Sequence, residues 1–472
     1  MNLILISMDT LRADRMSCYG HRRITSPHMD QLATEGALFT HFYSPHIPTF
    51  PGHTTMFTGR DIYAHRVTGQ AATPELDPDI PTLAEIFEQA GYFTAAADNL
   101  GRWFQRGFQR YETYSWDTSN MKVWRKGEAV AAASLKVVNE AASQDKPFFL
   151  FLHFWDTHTP YLPPAPFSRM FYEGNECDPD NRSMEPVWQF DNFKWYFNEW
   201  MPGVTDIEFP KAQYDAEVAY SDACLAHVLT RLQELKLDAD TMIVLTADHG
   251  EELDEHSCWF DHHGLYDTNL HVPLIMRWPG HINPGQKIDG IARMQDITPT
   301  VLAAFGLWDR VHKLDGESLL PILNNPQNGR EDVSEYVHIT ENTWMKKRGL
   351  RTREWKLIQA LEPDIHGFPT HELYHLAEDP GEKRNLAVER PEVVAELMSL
   401  MEDYVSMRLS ATGHEDPLPV QPIPLHHIGH METAVPKDSR LEEGSGSADQ
   451  KLPEGDFKGY ERAEDERSAA VE

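Results

Sequence analysis

The 472 residues predict an α/β protein: a large, mostly parallel sheet sandwiched by helices, followed by a small C-terminal α+β subdomain. Three observations lead there. Short, wholly apolar runs alternate with amphipathic helical stripes, the pattern of strands buried on both faces and joined by helical crossovers. Side chains able to do chemistry collect just after those runs, where ligands bind in such sheets. From about residue 333 the strands shorten and stop alternating with helices.

The elements follow in order. Leu3–Ser7 is a buried strand. Ser26-Pro27 opens a helix, Ser as N-cap and Pro at its first position, and Gly36 closes it. Leu83, Ile86, Phe87 and Ala90 mark a second helix, and Tyr92–Ala97 is the strand after it. Glu128–Ala142 is a third helix, leading into Phe148–Phe154 (FFLFLHF), the most apolar strand. Val218 to Leu235 carries another helical stripe, and Met242–Thr246 and Val272–Trp278 read as further strands. The stretch 163–210 breaks the rhythm. It is rich in Pro, Asn and aromatic residues, so it reads as a long irregular insertion forming a rim or lid. These features give a catalytic domain over 1–332, a subdomain over 333–435 with strands near 336–340, 349–351, 355–358 and 372–376 and one helix, and an acidic flexible tail over 436–472.

Composition narrows the partners. With 42 Lys+Arg against 74 Asp+Glu the formal net charge is −32, and the tail contributes little of it. Such a field repels nucleic acid and anionic membrane, so neither is expected as a partner. An anionic substrate would need a local counter-charge, which a bound metal cation provides. Cys18, Cys177, Cys224 and Cys258 are too widely spaced for a zinc ribbon or a disulfide framework, no apolar run is long enough to span a membrane, and no signal peptide is expected, because the first strand begins at Leu3. The expectation is a soluble cytoplasmic protein. The oligomeric state is left open, and a homo-oligomer is compatible.

Three segments carry the chemistry. Asp9 follows the first strand, Asp248-His249-Gly250 follows Met242–Thr246, and Pro48-Thr49-Phe50-Pro51-Gly52-His53 enters a short helix ending at Thr58-Gly59. Singly, each has a structural reading as a helix cap. Jointly, two carboxylates, a hydroxyl and an imidazole describe a divalent-metal site with mixed O and N ligands. Ligation would acidify the Thr49 hydroxyl, and the helix that Thr49 opens would offer backbone N–H groups to an anion.

The sequence from Asn2 to about Leu386 resembles the sulfatase-like branch of the alkaline phosphatase superfamily. The resemblance rests on Leu5–Asp14 with Cys18-Tyr19-Gly20, Thr49–Gly59, Phe148–Tyr161, Thr246–Glu251, Asp296–Thr300 and Leu373–Pro380. Sulfatases carry a Cys or Ser that becomes formylglycine, within Cys/Ser-x-Pro-x-Arg. Here the segment is Thr49-Phe50-Pro51-Gly52-His53, similar to the Thr-Phe-Pro-x-His of nucleotide pyrophosphatase/phosphodiesterases, where unmodified threonine attacks phosphorus.

The resemblance implies an ester hydrolase using Thr49 without formylglycine. Asp9, Thr49, Asp248 and His249 would hold one metal, manganese or zinc rather than calcium because of the imidazole. The phosphodiesterases' second metal motif, Asp-x-x-x-His, is absent; Asp222 and His227 have the wrong spacing. Asn99, Arg102 and His53 would contact substrate, His158 would serve the leaving group, and either His262 or His263 would meet the transferred group. His256 is a weaker member of that loop. His426, His427 and His430 have ligand-like spacing, yet a solvated cluster near the tail is the better reading. The function expected is hydrolysis of phosphate mono- or diesters of small alcohols. Sulfate ester hydrolysis, phosphoryl transfer to another alcohol and a non-catalytic anion-binding protein are the alternatives.

Overall fold

The computed structural model describes residues 1–70, 73–114, 126–325 and 332–423. The predicted C-terminal tail and its histidines 426, 427 and 430 lie outside them. An eight-stranded sheet forms the centre, in the order Gln286–Ile288, Ala37–Phe39, Leu274–Arg277, Thr241–Thr246, Asn2–Met8, Phe148–Phe154, Phe93–Ala97, Arg110–Glu112. All neighbours pair in parallel except Leu274–Arg277, which runs antiparallel to both of its own. The four middle parallel strands are buried along their whole length, because helices cover both faces.

The predicted helices are present as Pro27–Glu35, Leu83–Gln89, Gly127–Ala142 and Glu208–Glu234, the last beginning ten residues earlier than expected. Thr82 and Glu85 form a reciprocal capping box at the second of these. Ser26 does not cap the first. Its hydroxyl donates to Asp30 instead, and the exposed amides of His28 and Met29 are taken by Asp222, reaching from the long helix at 2.8–3.2 Å. Asp222 is thus a structural group.

The insertion is more ordered than expected. It folds into helices Glu185–Gln189 and Asp191–Trp200, whose Phe193, Phe197 and Trp200 join the main core against Phe260 and Trp344. The C-terminal part is an antiparallel meander of Tyr336–Asn342, Lys346–Thr352, Trp355–Ala360 and His371–His375 with the helix Pro391–Thr412. A fifth strand, His46–Ile47, comes from the N-terminal half and pairs in parallel with Tyr336–Asn342. The approach to Thr49 is therefore part of the C-terminal sheet. Among the described residues no helix is long and apolar enough to cross a membrane.

Candidate active site

The chemistry lies at the carboxyl ends of four adjacent strands. In sheet order these present Asp248-His249, Asp9, His153 with His158 beyond it, and Asp98. One ligand atom from each of Asp9, Asp248 and His249 lies within 4.8 Å of the others, and all three residues are fully buried. His249 Nδ1 donates to the Gly250 carbonyl at 2.9 Å, which orients the ring and turns Nε2 toward the cluster. That Nε2 stands 3.2 Å from Thr49 Oγ1 and 3.3 Å from Asp248 Oδ2.

Thr49 is the first residue of a helix, Thr49–Thr58, all ten of whose residues are buried and which ends at Gly59 in the left-handed region (φ 64°). The helix comes close to the metal-type loop because Gly52 has no side chain: a Cβ there would meet the Asp248 carbonyl oxygen at 2.8 Å. Thr10 adopts φ 59°, a strained conformation for a β-branched residue, and its amide donates to Asp248 Oδ1 at 3.2 Å. Strain is thus stored where the two acidic loops meet.

The donor set fits a divalent cation. Asp9 Oδ1 and Asp248 Oδ2 are buried carboxylate oxygens with no hydrogen bond, a costly arrangement without a positive partner. Burial pushes the Asp9 carboxyl up, but the hydrogen bond from His153 and the charges of His158, His153 and His249 outweigh it and hold it well below the usual range.

His262 is the histidine that turns toward this cluster. Its ring centroid lies 4.8 Å from those of both His249 and His158. Burial disfavours its charged form, yet Asp261 and Glu251 raise its pKa to about 9. The two carboxylates thus favour the protonated ring. His158 donates Nδ1–H to the Thr159 carbonyl at 2.6 Å.

Four expected substrate contacts are placed differently. His53 is fully buried one turn below Thr49. Its Nδ1 donates to the Thr49 carbonyl and its Nε2 accepts from the Ser7 hydroxyl, both at 3.0 Å, so it pins the helix to the first strand. Asn99 spends both ends of its amide on the Tyr114 backbone. Arg102 pairs with Glu75 at 2.7 Å and stacks on Trp103. His263 faces away from His249, toward His366. His256 pairs with Glu252 and stacks on Tyr266, a role in loop packing.

Sequence reasoning missed His153 and Asp98. His153 is fully buried, with Nδ1 2.7 Å from Asp98 and Nε2 3.3 Å from Asp9. Although burial opposes its charge, the two carboxylates raise it to about 9. Tyr111 donates its hydroxyl to Asp98, and Thr157 donates to the Asp9 carbonyl. The available signal was the single imidazole interrupting the otherwise apolar FFLFLHF strand, since a polar ring at such a position requires a partner.

Comparison with known proteins places this geometry. The family profile described as Sulfatase matches residues 1–307, and that described as N-sulphoglucosamine sulphohydrolase, C-terminal, matches residues 254–407. The chain is 26% identical to N-acetylglucosamine-6-O-sulfatase of Bacteroides thetaiotaomicron, over 85% of this chain and 86% of that one. It is 25% identical to human arylsulfatase K, over 88% and 84%. Among solved structures, phosphonate monoester hydrolase of Agrobacterium radiobacter superposes with a TM-score of 0.70 at 23% identity, covering 87% of this chain and 95% of that one.

Proposed function

The chain belongs to the sulfatase family, and from that premise we propose that it is a metal-dependent hydrolase of phosphate mono- or diesters of small organic alcohols, with unmodified Thr49 as nucleophile. Hydrolysis of sulfate or phosphate esters goes with the family; the choice of phosphorus rests on the residue at position 49. Threonine cannot become formylglycine, the aldehyde on which the sulfatase mechanism depends. The observation that carries the reading is the placement of Thr49 Oγ1 3.2 Å from His249 Nε2, at the head of a buried helix.

Asp9, Asp248 and His249, with Thr49 Oγ1 beside them, would hold the cation. When bound, it supplies the charge that acidifies a hydroxyl and offsets an anionic tetrahedral group. The chain's own residues account for the rest. The first turn of the Thr49 helix is not the anion cradle expected: Phe50 N–H donates to Gln70 Oε1 at 3.2 Å, Gly52 N–H to the Pro48 carbonyl at 3.1 Å, and Pro51 has no N–H. Thr49 Oγ1, its proton passed to solvent, attacks phosphorus in line, forming a phosphothreonine as the bond to the alcohol oxygen breaks. His158 delivers a proton to that departing oxygen, and protonated His262 balances a non-bridging oxygen. Water then attacks phosphorus and gives one proton to Thr49 Oγ1, releasing phosphate from a monoester substrate or a phosphate monoester from a diester, and His158 is reprotonated from solvent. His53 and His153 act indirectly, the first by fixing the helix and the second by orienting Asp9 between itself and the metal position.

The test is turnover of aryl phosphate mono- and diesters, an aryl phosphonate and an aryl sulfate by the protein loaded with manganese or zinc. Acid-quenched samples are then searched by mass spectrometry for phosphorylated Thr49. Phosphorus esters should exceed the sulfate in kcat/KM by about 100-fold or more, and Thr49→Ala should lose at least about 1,000-fold. Faster sulfate turnover would favour the second reading, a sulfatase acting through the same threonine, to which the sulfatase relatives lend weight. Binding of the anions without turnover would indicate a non-catalytic protein.

A further inference from the structure

The loop that carries His262 turns its two adjacent histidines in opposite directions. His263, fully buried, faces His366, which lies between Trp355–Ala360 and His371–His375 of the C-terminal sheet. Cys258 of the same loop completes a group in which one ligand atom from each residue lies within 4.8 Å of the others. His263 Nε2 and His366 Nε2 stand 2.8 Å apart, so two imidazole nitrogens converge on one point. His263 Nδ1 is buried without a hydrogen bond. Cys258 Sγ has a single weak contact, 3.8 Å from the His256 carbonyl.

A tetrahedral zinc with one sulfur and two nitrogen ligands separates them by about 3.3–3.6 Å, given bonds of about 2.3 Å to sulfur and 2.0–2.1 Å to nitrogen. The triad needs only small side-chain movements to reach that spacing. One thiol and two imidazoles form the soft donor set that selects zinc. The surrounding charge also favours a cation: Asp261 lies 3.5 Å from His263 Nδ1 and Glu341 accepts from the Gly264 amide at 3.0 Å, while Lys347 is engaged by Asp364 and Glu372. The aromatic insertion closes over the group, with Phe190 stacked on His366 at 4.7 Å and Phe193 against His263 at 5.5 Å.

We propose that Cys258, His263 and His366 form a second, zinc-type metal site, separate from the cluster at Asp9, Asp248 and His249. It adds a metal link between the loop bearing His262 and the C-terminal part, which already share hydrogen bonds such as Gly264 N–H to Glu341 and Trp344 Nε1–H to Asp261. The chain supplies three donors, which leaves a fourth position for a non-protein ligand. The site rests on its own ligands and stands whether or not the reading of the catalytic centre is right.

The test uses the full chain, stripped with chelator and reloaded with cobalt(II), because only a sulfur ligand gives a near-ultraviolet thiolate-to-cobalt charge-transfer band. The wild-type protein should show the band. Cys258→Ser should abolish it and lower bound metal by about one equivalent. His366→Ala, at a partly exposed position less critical for folding, should lose the same equivalent. Asp9→Asn should keep the band while losing the other equivalent, so failure here and failure of the catalytic reading give different results. A missing band in the wild type, a band that survives Cys258→Ser, or unchanged stoichiometry in His366→Ala overturns the proposal.

Discussion

Acidification should destabilise this protein through His46, and the size of the effect can be worked out. The ring is buried on the strand His46–Ile47, with Nδ1 2.8 Å from Thr340 Oγ1 and no hydrogen bond at Nε2. Burial, assisted by the charge of Arg408, lowers its pKa from 6.5 to about 3. The folded protein keeps the ring neutral, whereas the unfolded chain takes up a proton below 6.5. The contribution is therefore intact above that value and is lost as pH falls from 6.5 toward 3. At a pH of about 5 the loss is about 1.5 units, or about 2 kcal/mol. His46→Leu removes the titration and the orphan nitrogen, at a cost of about 1 kcal/mol for the bond to Thr340. Urea unfolding followed by tryptophan fluorescence, from a pH of about 8 down to about 5, measures both proteins. The stability difference should move by about 2 kcal/mol in favour of the variant across that range. Because His65 and His338 are also held well below their usual value by burial, only the difference reports on His46. A difference that stays constant with pH would refute the reasoning.

Three other predictions concern single contacts. Gly52→Ala places a Cβ 2.8 Å from the Asp248 carbonyl and should shift Thr49, lowering kcat about 10- to 100-fold in steady-state assays while the fold persists by circular dichroism. Asp222→Ala strips the amides of His28 and Met29 of their acceptor and should cost about 2–3 kcal/mol in denaturant unfolding, with Asp222→Asn recovering part of it. Asp9→Asn should lower kcat/KM by about 100-fold or more, alongside the lost metal equivalent measured by atomic emission.

The legible part of this protein was the part governed by periodicity. Strands such as Leu3–Ser7 and FFLFLHF are buried on both faces and can hardly be anything but apolar, so the sheet centre and the acidic loops after it were readable. The short strands Ala37–Phe39, Arg110–Glu112 and Gln286–Ile288 were missed because three residues cannot establish a period. The site was read to the depth at which a residue type implies chemistry: Asp9, Asp248, His249 and Thr49 do cluster. Orientation was not legible. Adjacent histidines at 262 and 263 face opposite ways, and Asn99 and Arg102 are claimed by Tyr114 and Glu75, neighbours set by loop geometry that spacing alone does not encode. The insertion looked irregular because its first helix has only five residues and Pro and Asn interrupt the rest, although Phe193, Tyr196, Phe197 and Trp200 form an i, i+3, i+4, i+7 stripe that could have revealed the second helix.

Strand Tyr336–Asn342 grips both halves of the catalytic apparatus at consecutive positions. Thr340 takes the Pro45 carbonyl, while Glu341, the register partner of Ile47, takes the Gly264 amide. A shortened chain ending near residue 332 would leave the segment before Thr49 as a raw edge and the histidine loop without its anchor. The C-terminal third is thus no detachable accessory that could be exchanged between relatives as a cassette; it must be inherited together with the residues it braces.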